Sequence, residues 1–194
     1  MGEGARARLF ELLRTRAFER KRVVLASGRE SDFFIDCKQA VLSAEGHALV
    51  GEQMLEALAQ LGPCAAVAGV ELGGCSLASA VAMTSFQRGT PLDAVYVRKD
   101  AKDHGSKRLL EGNGRLAPGA RIALLEDVVT TGGSTLKAAA KLKEAGYAIA
   151  GVVALVDRLE GGREAIEASD GSDASRGGRL PFVALYTRSD FIPA

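Results

Sequence analysis

The chain has 194 residues, 47% hydrophobic and 25% charged, and its 25 basic side chains against 24 acidic ones leave a formal net charge of +1. Such a chain predicts one soluble globular domain, with a core large enough to need neither disulfides nor a structural metal. Near-neutrality argues against a general nucleic-acid binder, and an aromatic share of 5% with no Trp leaves little material for base stacking.

Leu9, Leu12, Leu13 and Ala17 recur at helical spacing among charges and predict an amphipathic helix over 4–19. In VVLASGRESDFFIDCK, short apolar runs around Ser27-Gly28 predict two strands, or a strand and a turn. Ser43 opens a second helix whose apolar face is Leu49, Val50, Met54, Leu58 and Leu61, and Gly62-Pro63 stops it. A regular rhythm follows: an apolar strand at 64–70, a Gly-Gly turn, an Ala-rich helix over 75–87, and strands at 92–97, 121–126 and 149–156, with a helix over 134–145 before the last. Strands apolar throughout and alternating with helices imply an α/β fold, a doubly wound, mostly parallel sheet covered on both faces. Segments 98–119 and 169–179 are polar and Gly-containing, and loops of that length are commonly functional. Segments 20–42 and 180–194 are expected to form a small flap over a single domain spanning 1–194.

Cys37, Cys64 and Cys75 are odd in number, form no CxxC pair and have only His47 and His104 as imidazole partners, so buried cytosolic thiols are expected. The opening MGEGARARLFELLRTRAFERKR lacks the apolar core of a signal peptide, and no run approaches a membrane span. The chain reads as cytoplasmic, with no membrane or nucleic-acid partner.

The chemistry concentrates in ALLEDVVTTGGSTLKAA (123–139), where Glu126 and Asp127 end a buried strand, the position at which open α/β sheets bind ligands. After them a loop of hydroxyls and glycines runs into a helix, whose free N–H groups and dipole favour an anion. Thr130, Thr131, Ser134 and Thr135 add hydroxyl donors, making a cradle for one phosphate. No GxxxxGK[ST] or strand-borne GxGxxG occurs, so a nucleotide triphosphate loop and a dinucleotide fingerprint are absent. Carboxylates beside a monophosphate cradle suit a ribose 5-phosphate. In 98–108, Arg98, Lys99, Lys102, Lys107 and Arg108 against Asp100 and Asp103 give a local +3, with His104 in addition, which suits an anion clamp.

LLEDVVTTGGST resembles the phosphoribosyl pyrophosphate signature of type I phosphoribosyltransferases. YVRKDAKDHGSKRLLEG (96–112) resembles the catalytic loop of the orotate phosphoribosyltransferases, SGRESDFFID (27–36) their orotate-side segment, and VDRLEGG (156–162) the segment with their orotate-contacting arginine. The resemblance implies transfer of the 5-phosphoribosyl group from phosphoribosyl pyrophosphate to orotate, in pyrimidine (UMP) biosynthesis, with Mg²⁺ held mainly through the pyrophosphate. It also implies a homodimer in which Arg98 grips pyrophosphate in its own subunit while Lys99, Lys102 and His104, the catalytic cations, reach the partner's site. Glu126 and Asp127 would bind the ribose hydroxyls, and the stretch Val128, Val129, Thr130, Thr131, Gly132, Gly133 and Ser134 the 5′-phosphate, with Thr130 also touching orotate. Arg158 would pair with the orotate carboxylate, and Phe33 and Phe34 would wall its ring. Two positions depart from the family pattern: Ala26 stands where some members carry a lysine, and Leu72-Gly73 where some carry Tyr-Lys. The rival readings are a transferase for another base and a phosphoribosyl pyrophosphate-sensing regulator with the same fold.

Overall fold

The computed structural model describes residues 2–24, 30–100, 109–169 and 178–193. In chain order the elements are α1 (Gly2–Arg16), β1 (Phe18–Val24), β2 (Glu30–Ile35), α2 (Lys38–Val41), α3 (Ala44–Leu58), β3 (Ala66–Val70), α4 (Gly73–Gln87), β4 (Asp93–Val97), β5 (Leu110–Glu111), β6 (Arg121–Val129), α5 (Gly133–Glu144), β7 (Ala148–Asp157), α6 (Gly162–Glu167), β8 (Phe182–Thr187) and α7 (Arg188–Phe191).

β1 and β2 form an antiparallel hairpin, and the other six strands form one sheet in the order β5-β4-β3-β6-β7-β8. All of its pairings are parallel except that of the two-residue β5 with β4. Successive side chains of a strand point to opposite faces, and here both faces are covered. Ala123, Leu125, Val153 and Leu155 face a core shared with α1, α3 and α4, while Ile122, Leu124, Val152 and Ala154 face one shared with α5 and α6. Double coverage is why β6 and β7 read as unbroken apolar runs, each fully buried Leu or Val being worth about 1.5–3 kcal/mol.

The boundaries differ from the sequence expectation where tertiary pairing overrides pattern. The first helix stops at Arg16, because FERKRVV, despite its charges, pairs with β2. The expected flap segment 180–194 divides in two. Phe182–Thr187 is the outer parallel strand of the main sheet, paired with β7. Phe191 of α7 packs instead against Phe18 and Phe33 of the hairpin, at centroid distances of 5.4 and 5.6 Å. β6 runs three residues beyond the expected Glu126, carrying Asp127, Val128 and Val129 into the sheet. Among the described residues no helix is long and apolar enough to cross a membrane.

Candidate active site

From β3 the chain builds outward to β4 and β5, and from β6 outward to β7 and β8, so the strand order reverses between β3 and β6. The carboxyl ends of strands flanking such a reversal leave an open crevice. Two loops meet there with little room between them. A Cβ on Gly73 would lie 2.1 Å from Asp127 Oδ2, and one on Gly69 would lie 2.1 Å from the Gly74 carbonyl oxygen. Only glycine at 73 lets the β3–α4 turn lie against the Asp127 carboxylate.

The two adjacent acids have different surroundings. Glu126 is 4% exposed; its Oε1 accepts from the Ser134 hydroxyl at 2.6 Å and the Thr135 hydroxyl at 3.3 Å, while its Oε2 is buried with no hydrogen-bond partner. Burial pushes its carboxyl up to about 7; the Ser134 hydroxyl bond opposes the rise, and the neighbouring Asp127 charge adds to it. Asp127, half-buried, accepts from its neighbour Val128 N–H at 3.0 Å, and burial raises it too, against the pull of the Lys38 ammonium. Glu126 thus braces the first turn of α5, and Asp127 is the acid presented to the crevice.

The cradle expected from the sequence is assembled at the start of α5. Gly132 adopts a left-handed φ of 78° as its N-cap, which glycine takes without strain, and Gly133 and Ser134 are exposed. Thr130 is half-buried and Thr131 exposed. With no side-chain cap on α5, its first N–H groups are left for a ligand. Val128 is half-buried against the core. The Val129 side chain is buried in the α5-side core and its carbonyl accepts from Arg158 N–H at 2.9 Å, so this residue shapes the loop without offering a side chain to a ligand.

On the hairpin side, one expectation is corrected. Phe33 has no exposed surface: its ring lies 5.1 Å from that of Phe18 and 5.6 Å from that of Phe191, so it belongs to the core and cannot wall a bound ring. Phe34, on the opposite face of β2, is half-buried, with Lys21 Nζ 3.9 Å from its ring centroid. Arg158, at the end of β7, is 8% exposed; its Nη2 is 2.9 Å from Glu160 Oε1 and donates to the Phe33 carbonyl at 3.1 Å.

Lys102, His104 and Ala26 lie outside the described residues. The clamp's first residues are described and firmly anchored. Arg98 N–H donates to Leu109 O at 2.9 Å, Lys99 N–H to Glu71 Oε2 at 2.8 Å, and Lys141 Nζ to the carbonyls of Arg98 and Lys99 at 2.8 and 2.7 Å. Sequence reasoning passed over Glu71, Lys141 and Lys38, because their roles depend on partners 28 to 89 positions away; only the i, i+7 spacing of Ser134 and Lys141 hinted at a shared helix face. Among the described residues no group of three or more His, Cys, Asp or Glu could hold a metal ion.

Residues 53–172 match the family model for the phosphoribosyl transferase domain. The chain is 66% identical to the orotate phosphoribosyltransferase of Sorangium cellulosum (strain So ce56) over 192 residues, covering 99% of this chain and 95% of that protein. The chain belongs to the orotate phosphoribosyltransferase family. Solved members share its architecture. The Mycobacterium tuberculosis orotate phosphoribosyltransferase in complex with Fe(III) dicitrate aligns at a TM-score of 0.76 and 36% identity, over 97% of this chain and 99% of that one. A structure of the same mycobacterial enzyme with 5-phospho-alpha-D-ribosyl 1-diphosphate aligns at 0.73 and 33%, over 96% and 98%. The fold expected from the sequence, a mostly parallel doubly wound sheet, is the one these family members have.

Proposed function

We propose that the chain transfers the 5-phosphoribosyl group from phosphoribosyl pyrophosphate to orotate, giving orotidine 5′-monophosphate and pyrophosphate in cytoplasmic pyrimidine biosynthesis. The observation that carries this reading is the meeting, at one switch point, of the adjacent acids Glu126, buried, and Asp127, half-buried, with an uncapped hydroxyl–glycine helix start. The orotate ring nitrogen attacks the anomeric carbon as the bond to the pyrophosphate oxygen breaks, and that bond's electron pair leaves with pyrophosphate. Positive charge develops on the ribosyl group, beside the Asp127 carboxylate, and negative charge on the leaving oxygens. Fixed cations facing those oxygens stabilise the transition state more than the ground state. Arg98 of the same subunit takes that place, joined by Lys99, Lys102 and His104 from the partner subunit. Thr130 to Ser134 hold the 5′-phosphate, Ser134 through its backbone N–H, because its hydroxyl donates to Glu126 Oε1.

Mg²⁺ would enter held mainly by the substrate's pyrophosphate, with the half-buried Asp127 carboxylate as a hard oxygen beside it, and would supply neutralisation of leaving-group charge. A homodimer is supported by an apolar stripe on α4. Leu72, Met83 and Phe86 are 72, 49 and 75% exposed and share one helix face with Ser79, whose hydroxyl bonds that of Tyr96. A second copy covering the stripe would sit at the edge of the crevice, where α4 begins.

A turnover screen of orotate, uracil, hypoxanthine and adenine with phosphoribosyl pyrophosphate, with and without Mg²⁺, tests the reaction. Orotate should be the base consumed, and only with the metal; a purine preference would overturn the assignment. Mixing inactive Lys102→Ala and Asp127→Ala chains should regenerate activity, and none recovered after confirmed subunit exchange would refute the shared site.

A further inference from the structure

Continuing the crevice past Ser134, a cavity of about 300 Å³ lies between the β3–α4 turn, the end of β4 and one face of α5, and is lined by Glu71, Arg98, Lys99, Ser134, Lys137 and Lys141 among others. Ser134, Lys137 and Lys141 fall at i, i+3 and i+7 and so face it together. The helix therefore presents its phosphate-cradle residue at one end of this face and, about 10 Å further along its axis, the ammonium that grips the base of the cationic segment.

The grip is specific. Lys141 Nζ donates to two successive carbonyls, those of Arg98 and Lys99, at 2.8 and 2.7 Å. Glu71 Oε2 accepts the Lys99 N–H at 2.8 Å, and the Leu109 carbonyl accepts the Arg98 N–H at 2.9 Å. Residues 98 and 99 are thus tied to α5, to the β3–α4 turn and to the returning chain. Of these ties, Lys141 is the one that runs to the helix bearing the cradle. Hydrogen bonds with an ionised partner are about twice as strong as neutral ones, and each makes the backbone it holds a fixed reference point.

We propose that Lys141 is a positioning residue for the transfer reaction: it sets the span between the 5′-phosphate cradle at the start of α5 and the pyrophosphate-holding Arg98. Phosphoribosyl pyrophosphate is anchored at both ends, so its anomeric carbon is presented correctly only if those two anchors stand a fixed distance apart. A lysine in the last turn of a helix also suits the helix dipole, but that role is structural and moves stability alone.

The inference rests on the reading of Arg98 as a pyrophosphate contact, and the experiment keeps the two apart. Steady-state kinetics on the full chain compare wild type, Lys141→Met, which keeps the stem and removes the donors, and Lys141→Arg, which keeps charge and donors. Pyrophosphate binding is measured by calorimetry alongside. Lys141→Met should raise the KM for phosphoribosyl pyrophosphate about tenfold, leave the Kd for pyrophosphate, which lacks the 5′-phosphate anchor, and the KM for orotate within about twofold, and be largely rescued by Lys141→Arg. A folded Lys141→Met whose KM for phosphoribosyl pyrophosphate stays within about twofold of wild type, or whose Kd for pyrophosphate rises as much as that KM, overturns the inference. If that variant does not fold, Lys141→Gln is read by the same criteria. Failure of the wild type itself to turn over phosphoribosyl pyrophosphate would instead overturn the functional reading.

Discussion

At the end of β6, Glu126 is held out of water with no cation paired to it among the described residues, and its carboxyl is pushed up to about 7. At the end of the adjacent strand β7, Arg158 is nearly as buried but has its counter-ion, Glu160, beside it and the Phe33 carbonyl as an acceptor. Glu126 is thus electrostatically uneasy, whereas Arg158 is ion-paired. Unease of the first kind marks groups kept for chemistry, whereas the apolar Phe18–Phe33–Phe191 ring cluster beside the arginine belongs to the fold.

This contrast can be broken by substitution. Phe33→Ala removes a fully buried ring and should cost about 3–5 kcal/mol in chemical denaturation, while the cradle residues keep their chemistry in whatever fraction stays folded. Asp127→Asn should show the reverse, a loss of about 100-fold or more in turnover with a melting temperature equal to or above that of wild type, because its burial-raised carboxyl weakens the fold near neutral pH. A large fall in stability for Asp127→Asn would erase the contrast.

Glu126 gives a finer test through pH. Its carboxyl titrates at about 7 in the folded chain against an ordinary value of 4.5, so between those values the native state binds more protons than the unfolded one. Stability should therefore fall as pH rises from 4.5 to 7, and Glu126→Gln should flatten that slope in denaturation curves taken across the window. The smallest effect is expected for Phe34→Ala on the exposed side of β2, within about 1 kcal/mol of wild-type stability, with any larger change appearing in the KM for orotate.

Much of this architecture is legible in the sequence, since doubly covered strands must be apolar throughout and the acid pair and cradle are contiguous in the chain. Phe33 and Phe34 show where legibility ends. They are neighbours of the same type, and only the hairpin register, Arg20 against Phe33 and Glu19 against Phe34, decides which ring enters the core. FERKRVV hides β1 behind its charges, and LE (110–111) is too short a strand to leave a pattern. Beyond the i, i+7 spacing of Ser134 and Lys141, Glu71 and Lys141 carry no local signal, because each works through backbone groups of Arg98 and Lys99 that are distant in sequence.

Transfer to orotate is tested most directly by a product balance on the wild-type chain. With orotate, phosphoribosyl pyrophosphate and Mg²⁺, nuclear magnetic resonance should show orotidine 5′-monophosphate and pyrophosphate appearing in equal amounts. Pyrophosphate released without nucleotide, or no conversion at all, would contradict it.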